Sequence, residues 1–179
     1  YLGYDKTTEE VFVPNNEILS EYVNATKQGE AWEAVRRALQ ESDALLEAIA
    51  AKDAPAVAEA VERAHLETSH LQYNDENALA YTLFLALYSA RRFYQLVREM
   101  PLGKGFADLV LLPRPAYPGR AAVVIELKWD KGARAAISQI KEKRYGEALA
   151  SYVGRILLVG ISYDKKTRRH SAEIEELVK

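Results

Sequence analysis

Apolar positions spaced three and four apart run through the first hundred residues, and short unbroken apolar runs replace them afterwards. At the start, Tyr1–Tyr4 and Val11–Val13 flank a polar turn, which predicts a hairpin. A helix follows, with Asn16 as its cap, Ile18, Leu19, Tyr22 and Val23 as its stripe, and Gly29 as its stop. Three further helical patterns are marked by Trp32, Val35 and Leu39; by Leu45, Leu46 and Ile49 behind a Ser42 cap; and by Val57, Val61 and Ala64 behind Asp53 and Pro55. Asn74–Met100 is apolar nearly all round. It predicts one long helix, buried on several sides and ended by Pro101 and Gly103.

Beyond residue 103 the pattern changes. "GFADLVLLPR", "AAVVIELKW" and "GRILLVGISY" are strands by length and β-branched content. Between the second and third, "KGARAAISQIKEKRYGEALASY" predicts a single helix with Ala133, Ile137, Ile140 and Ala148 along its stripe. A strand–helix–strand unit needs its strands parallel and its crossover right-handed. The expected class is α/β or α+β, with an acidic and mainly helical region in front. No fixed-period repeat or low-complexity tract interrupts it.

Charge sharpens this division. Residues 1–90 carry 6 Lys and Arg against 16 Asp and Glu, and residues 91–179 carry 18 against 10. A basic second half suits a polyanionic partner, although two halves of opposite sign also suit each other. The chain of 179 residues, 49% hydrophobic, can build a sizeable core. It has no cysteine, which excludes a disulfide framework, a thiol nucleophile and a thiolate zinc site, and fits a reducing cytoplasm. No run of eighteen apolar residues suggests a membrane span. The start at Tyr1 rather than Met, without a basic-then-apolar leader, suggests a piece of a longer protein.

Two charges interrupt the second strand. Alternation puts Glu126 and Lys128 on one face and Val123, Ile125, Leu127 and Trp129 on the other. Asp108 stands similarly in the preceding strand and would lie near Glu126 if the two strands pair. Carboxylates forced together repel and lose solvation. A divalent cation between them resolves this, since Mg²⁺ takes one or two carboxylates plus waters and a substrate phosphate. Lys128 then serves as a point charge that orients a phosphate or the attacking water. The competing explanation is a cross-strand salt bridge on a solvated face.

Together, "GFADLVLL", "AVVIELKWD", "AAISQIKEKRYGEAL" and "ILLVGISYDKKTRRH" resemble the PD-(D/E)XK nuclease superfamily, and within it the nuclease-like C-terminal domain of AAA-ATPase-like proteins. The likeness spans about residues 74–175, and the opening "YLGYDKTTEEVFVPNNEILSEYV" is similar to the segment joining an ATPase part to such a domain. It implies a restriction-endonuclease-like αβββαβ core in residues 71–179, behind a hairpin, linker and acidic helical region in residues 1–70. It also implies Asp108, Glu126 and Lys128 as the motif's acidic residues and lysine, and Gln139 as a polar catalytic-site position. Glu76 and the Leu127 carbonyl are implied as further ligands of Mg²⁺, or of Mn²⁺ in its place. Ala107 stands where the family name has proline. The implied activity is metal-dependent cleavage of nucleic acid, DNA before RNA. A nuclease-fold module that docks without cutting is the alternative, and the acidic helices of residues 16–70 suggest a protein-interaction role.

Basic residues beside these positions are candidate phosphate contacts: Lys141, Lys143 and Arg144 in the helix, Lys165 and Lys166 after the last strand, with Arg168 and Arg169. Gln139 and Lys143, one turn apart, flank the apolar stripe and could reach a backbone or simply form an amphipathic edge. Arg144 falls within the stripe and is expected to snorkel or pair with a carboxylate. His65 reads as packed. His70 and His170 have no metal-ligand spacing, and "PLGKGFAD" lacks the P-loop pattern.

Overall fold

The computed structural model describes residues 3–7, 9–12, 30–66, 75–150 and 154–177. The chain forms two compact units, residues 1–40 and 41–179. In the first, β1 (Gly3–Asp5) and β2 (Glu10–Phe12) pair antiparallel with Gly3 opposite Phe12, the expected hairpin. Asp5 closes its turn by accepting the Thr7 N–H at 2.7 Å. The helix expected from Asn16 lies outside the described residues.

Helix α1 (Glu30–Ala51) is continuous, where the sequence pattern predicts two helices. Ser42 is no cap. Its buried hydroxyl sits in the helix interior and accepts both the Ser89 N–H and the Ser89 hydroxyl at 2.9 Å. Val35 and Leu39 are exposed, while Leu45, Leu46 and Ile49 are buried. Helix α2 (Ala54–Leu66) begins as expected, with Asp53 accepting the Ala56 N–H at 3.1 Å.

The largest departure lies in Asn74–Met100. Helix α3 covers only Glu76–Ala86, capped by the Asp75 carboxylate on the Ala78 N–H at 2.9 Å. A 3₁₀ turn, Tyr88–Arg92, leads into β3 (Tyr94–Leu102), which forms a hairpin with β4 (Gly105–Pro113) through the two-residue connection Gly103–Lys104. Gly103 has φ +52°, a value a two-residue hairpin demands and a side chain resists. Pro101 is tolerated because β3 is an edge strand. The apolar density of this stretch therefore serves two elements rather than one helix.

The sheet continues with β5 (Ala122–Trp129), β6 (Ile156–Asp164) and β7 (Arg169–Glu176), in the order β3-β4-β5-β6-β7. Among the described strands only β5 and β6 pair parallel, joined by α4 (Ala133–Glu142) and α5 (Tyr145–Leu149). A single helix was expected here. Arg144 breaks it with φ +59°, and the Lys143 carbonyl, released from the helix, accepts the Lys104 N–H of the β3–β4 turn at 2.8 Å. Strand β7 carries few apolar residues and escapes the apolar-run criterion.

Both faces of β5 and β6 are buried, as near-continuous apolar strands require. Val123, Ile125 and Leu127 face a cluster with Leu45, Ile49, Val57, Val61, Leu79 and Leu83. Ala122 and Val124 face Ile137, Ile140, Tyr145 and Leu149 of α4 and α5. Each fully buried Leu, Ile or Val contributes about 1.5–3 kcal/mol of transfer free energy. The result is the expected α/β architecture, with α3, β3, β4, β5, α4 and β6 in αβββαβ order and β7 added at the edge.

Candidate active site

Alternation along β5 assigns Glu126 and Lys128 to the face of Ala122 and Val124, toward α4. They are not on a solvated face, as the salt-bridge alternative required: Glu126 is 2% exposed and Lys128 7%. The Lys128 Nζ donates to Glu126 Oε1 at 3.0 Å and to the Leu127 carbonyl at 2.9 Å. Gln139, reaching in from α4, donates its amide to the same Glu126 Oε1. Glu126 Oε2 is buried and has no hydrogen-bond partner.

Asp108 enters from β4. The β4–β5 ladder runs from Leu111↔Val123 to Leu109↔Ile125, and one more step would set Asp108 opposite Glu126. There the ladder stops. Asp108 Oδ2 instead accepts the Leu127 N–H at 2.7 Å. On the β3 side the pairing also skips one step, Glu99 with Asp108, between Arg98↔Leu109 and Met100↔Ala107, and Glu99 there adopts φ +49°. Asp108 is thus held at an opening between strands. Glu76, in the first turn of α3, accepts the Trp129 N–H at 3.3 Å. A cavity of about 360 Å³ opens here, lined by Glu76, Arg98, Glu99, Asp108 and Trp129. Glu126 and Lys128 are not among its lining residues and lie on the sheet face toward α4.

Burial, and behind it repulsion from a neighbouring carboxylate (Asp108 on Glu126, Glu76 on Asp108), raises the proton affinity of both strand carboxylates. Desolvation pushes Glu126 up to about 7, Asp108 adds repulsion, and Lys128 offsets part of it. Asp108 is raised too, chiefly by burial, with the Leu127 N–H and Lys128 opposing. Tyr145, whose hydroxyl donates to the Phe106 carbonyl at 2.7 Å, is raised by burial and by Glu126. Buried carboxylates only partly compensated, one with an unpartnered buried oxygen, fit a divalent cation. Among the described residues no group of three or more acidic or histidine side chains is gathered into a ready-made cage. Asp108 and Glu76 offer carboxylate oxygens at the cavity, with Glu126 and the Leu127 carbonyl on the adjoining strand.

The basic candidates are distributed differently. Lys141 pairs with Glu175 of β7 at 2.6 Å, Arg144 with Glu147, and Lys165 with Asp130 at 3.2 Å. Exposed Lys143 and Lys166 make no ion pair among the described residues. His65 is buried, edge-on to Tyr163 and His170, as its packed reading expected, and His170 is buried beside it. His70 lies outside the described residues.

Sequence reasoning missed Arg98. It lines the cavity, its Nε is buried without a hydrogen-bond partner, and its guanidinium lies 4.3 Å from the centre of the Tyr81 ring. Reading β3 as helix hid it. The Gly103–Lys104 turn followed by an apolar strand was the signal of a hairpin partner.

A mixed five-stranded sheet flanked by helices, with an acidic pair and a lysine where two central strands part, defines a restriction-endonuclease-like α/β fold. The family model of the PD-(D/E)XK nuclease superfamily matches residues 74–173, and the chain belongs to that superfamily. No curated protein matches it. Nucleases of this superfamily generally use divalent metals. Among the described residues, no helix is long and apolar enough to cross a membrane.

Proposed function

We propose that residues 71–179 form a metal-dependent nuclease that hydrolyses phosphodiester bonds of nucleic acid, DNA rather than RNA. The end of α1, through Leu45, Leu46 and Ile49, and helix α2 pack on its sheet. The observation that carries this reading is the buried Glu126–Lys128 pair beside Asp108, inside the stretch that the superfamily model matches. Asp108 and Glu126, with the Leu127 carbonyl and Glu76, would hold Mg²⁺ or Mn²⁺. Such an ion, when bound, supplies charge neutralisation at the phosphate and a more acidic water. Lys128 holds its ammonium against Glu126 and the Leu127 carbonyl, where it orients the phosphate or the attacking water. Gln139 fixes the Glu126 carboxylate from α4. Lys141, Lys143, Arg144, Lys165 and Lys166 contribute the salt-dependent affinity.

The resemblance of the opening segment to an ATPase linker supports a parent chain in which this domain follows an ATPase part. The lack of cysteine supports a reducing, cytoplasmic setting. One observation favours a second reading, a docking module that binds without cutting: Lys128 Nζ sits on two of the oxygens an ion would take. Plasmid, linear and single-stranded DNA incubated with Mg²⁺, Mn²⁺ or EDTA separates the two. Cleavage that needs the ion supports the nuclease. Binding with no cleavage under any ion leaves the docking module.

A further inference from the structure

Helix α3 and the 3₁₀ turn after it leave three large side chains largely exposed among the described residues. Tyr81, Leu85 and Tyr88 are 60%, 68% and 58% exposed. Tyr81 and Leu85, four residues apart, share one face of α3, and Tyr88 follows in the 3₁₀ turn. One turn earlier on that face stands Asn77, exposed and lining the cavity that holds Asp108. From Asn77 to Leu85 the row extends about 12 Å along the helix axis, and Tyr88 continues it past the helix end. It leads out of the candidate active site.

The rings are matched to arginines. The Arg98 guanidinium stands 4.3 Å from the Tyr81 ring centre, and that of Arg91 4.4 Å from Phe84 and 5.1 Å from Tyr88. Residues 77–98 include Arg91, Arg92 and Arg98 and no Asp or Glu; the acids begin on either side, at Glu76 and at Glu99, which lies 3.9 Å from Arg98, where the row meets the cavity. A protein-docking patch needs no such purge of acids. A phosphate backbone does. Alternating aromatic faces and guanidinium groups are the elements of a single-strand platform, where bases stack on rings and cations follow the backbone. In a duplex the base faces are already stacked on one another and unavailable to tyrosines.

We propose that Tyr81 and Tyr88, with Leu85 between them and Arg91 and Arg98 alongside, form a track that binds unpaired nucleic acid and delivers it to the Asp108 cavity. This rests on the nuclease reading above and narrows its substrate to single strands or single-stranded ends. Arg98 is the junction, since it touches both the track and the cavity.

The test is fluorescence anisotropy in EDTA, where nothing is cut, with labelled oligothymidylate, oligouridylate and a DNA duplex of the same length. Tyr81→Ala and Tyr88→Ala should each weaken single-strand binding by about 5- to 150-fold while duplex binding stays unchanged. Tyr81→Phe and Tyr88→Phe should retain it, because the ring and not the hydroxyl is used. Both tyrosines are exposed, and circular dichroism melts confirm that the variants fold. The proposal is overturned if the double alanine variant binds single strands as wild type does, if duplex and single-strand binding fall alike, or if neither probe binds. Cleavage is scored separately. Tyrosine-dependent binding without cleavage under Mg²⁺ or Mn²⁺ retains the track and rejects the nuclease, and ion-dependent cleavage with tyrosine-independent binding does the reverse.

Discussion

Asp108 Oδ2 accepts the backbone N–H of Leu127 at 2.7 Å, at the point where the β4–β5 ladder ends. A side chain replaces the next ladder bond. The strands part there, yet Asp108 stays tied to the strand that carries Glu126 and Lys128. The same carboxylate is therefore both a clasp between strands and a candidate ion ligand.

Asp108→Asn and Asp108→Ala should separate these two roles. Asparagine keeps an oxygen for the Leu127 N–H but loses the charge, and alanine loses both. Ion binding and cleavage should fall in both variants. Stability should fall only for alanine, by about 1–3 kcal/mol, the cost of a buried N–H left unpaired. Calorimetric Mn²⁺ titration and denaturant melts, run side by side, check this. Equal destabilisation by the two variants would remove the clasp.

The buried carboxylates also predict a pH dependence for the ion-free protein. Glu126 is raised from 4.5 to about 7 in the folded state. Its stabilising contribution is fully present below about pH 4.5 and is lost as pH rises through 7, on the order of 3 kcal/mol in all. His170 acts in the opposite sense. Burial lowers it from 6.5 to about 4, so its contribution is present above 6.5 and lost as pH falls through 4. The wild-type profile is a composite, and the difference between wild type and Glu126→Gln isolates the carboxylate. That difference should grow in favour of Gln between pH 4.5 and 7 in EDTA and shrink when Mg²⁺ is added.

Lys128→Ala should abolish cleavage and spare ion binding, since an ammonium is no ligand. In contrast to a surface pair, the loss should also cost stability well above pH 7, by up to about 3–5 kcal/mol, because ionised Glu126 is left buried without its cation; near neutral pH the carboxyl takes up a proton instead and the cost is smaller. A stability change under about 1 kcal/mol well above pH 7 would mean that the pair is solvated in solution.

The β5 site was legible because alternation is local: Glu126 and Lys128 interrupt one face of an otherwise apolar strand, and no distant contact is needed to see it. The parallel pairing of β5 and β6 followed from the helix between them. What was illegible depends on partners far along the chain. The end of α3 and the start of β3 are set by pairing with β4, and the break at Arg144 by the Lys104 N–H on the Lys143 carbonyl. Lys141 looked like a free phosphate contact because Glu175 lies 34 residues away on an unpredicted strand. Arg98 and Tyr81 were hidden for the same reason as β3.

Ion pairing divides the basic residues, and salt dependence of DNA binding should report the division. Lys143→Ala should lower the slope of log affinity against log salt by about 1. Lys141→Ala should change it less, since Glu175 already neutralises that ammonium. Equal slopes for the two variants would discount the pairing.

Gly160 is the register partner of Glu126 across β5 and β6. A Cβ at Gly160 would stand 2.4 Å from the Ala133 carbonyl oxygen and 3.0 Å from the Ala136 Cβ, so α4 packs against β6 only because that atom is missing. Backbone at that distance cannot yield unless the helix moves, and Gln139 moves with it. Gly160→Ala should therefore destabilise the protein by about 1–3 kcal/mol, as overpacking does. It should also lower cleavage by withdrawing Gln139 from Glu126. The two effects separate in a double-mutant cycle. In a Gln139→Ala background the stability cost of Gly160→Ala should persist while its effect on cleavage largely disappears, because the contact it disturbs is already gone. Full additivity in cleavage would mean that the glycine supports the helix but not the position of the glutamine.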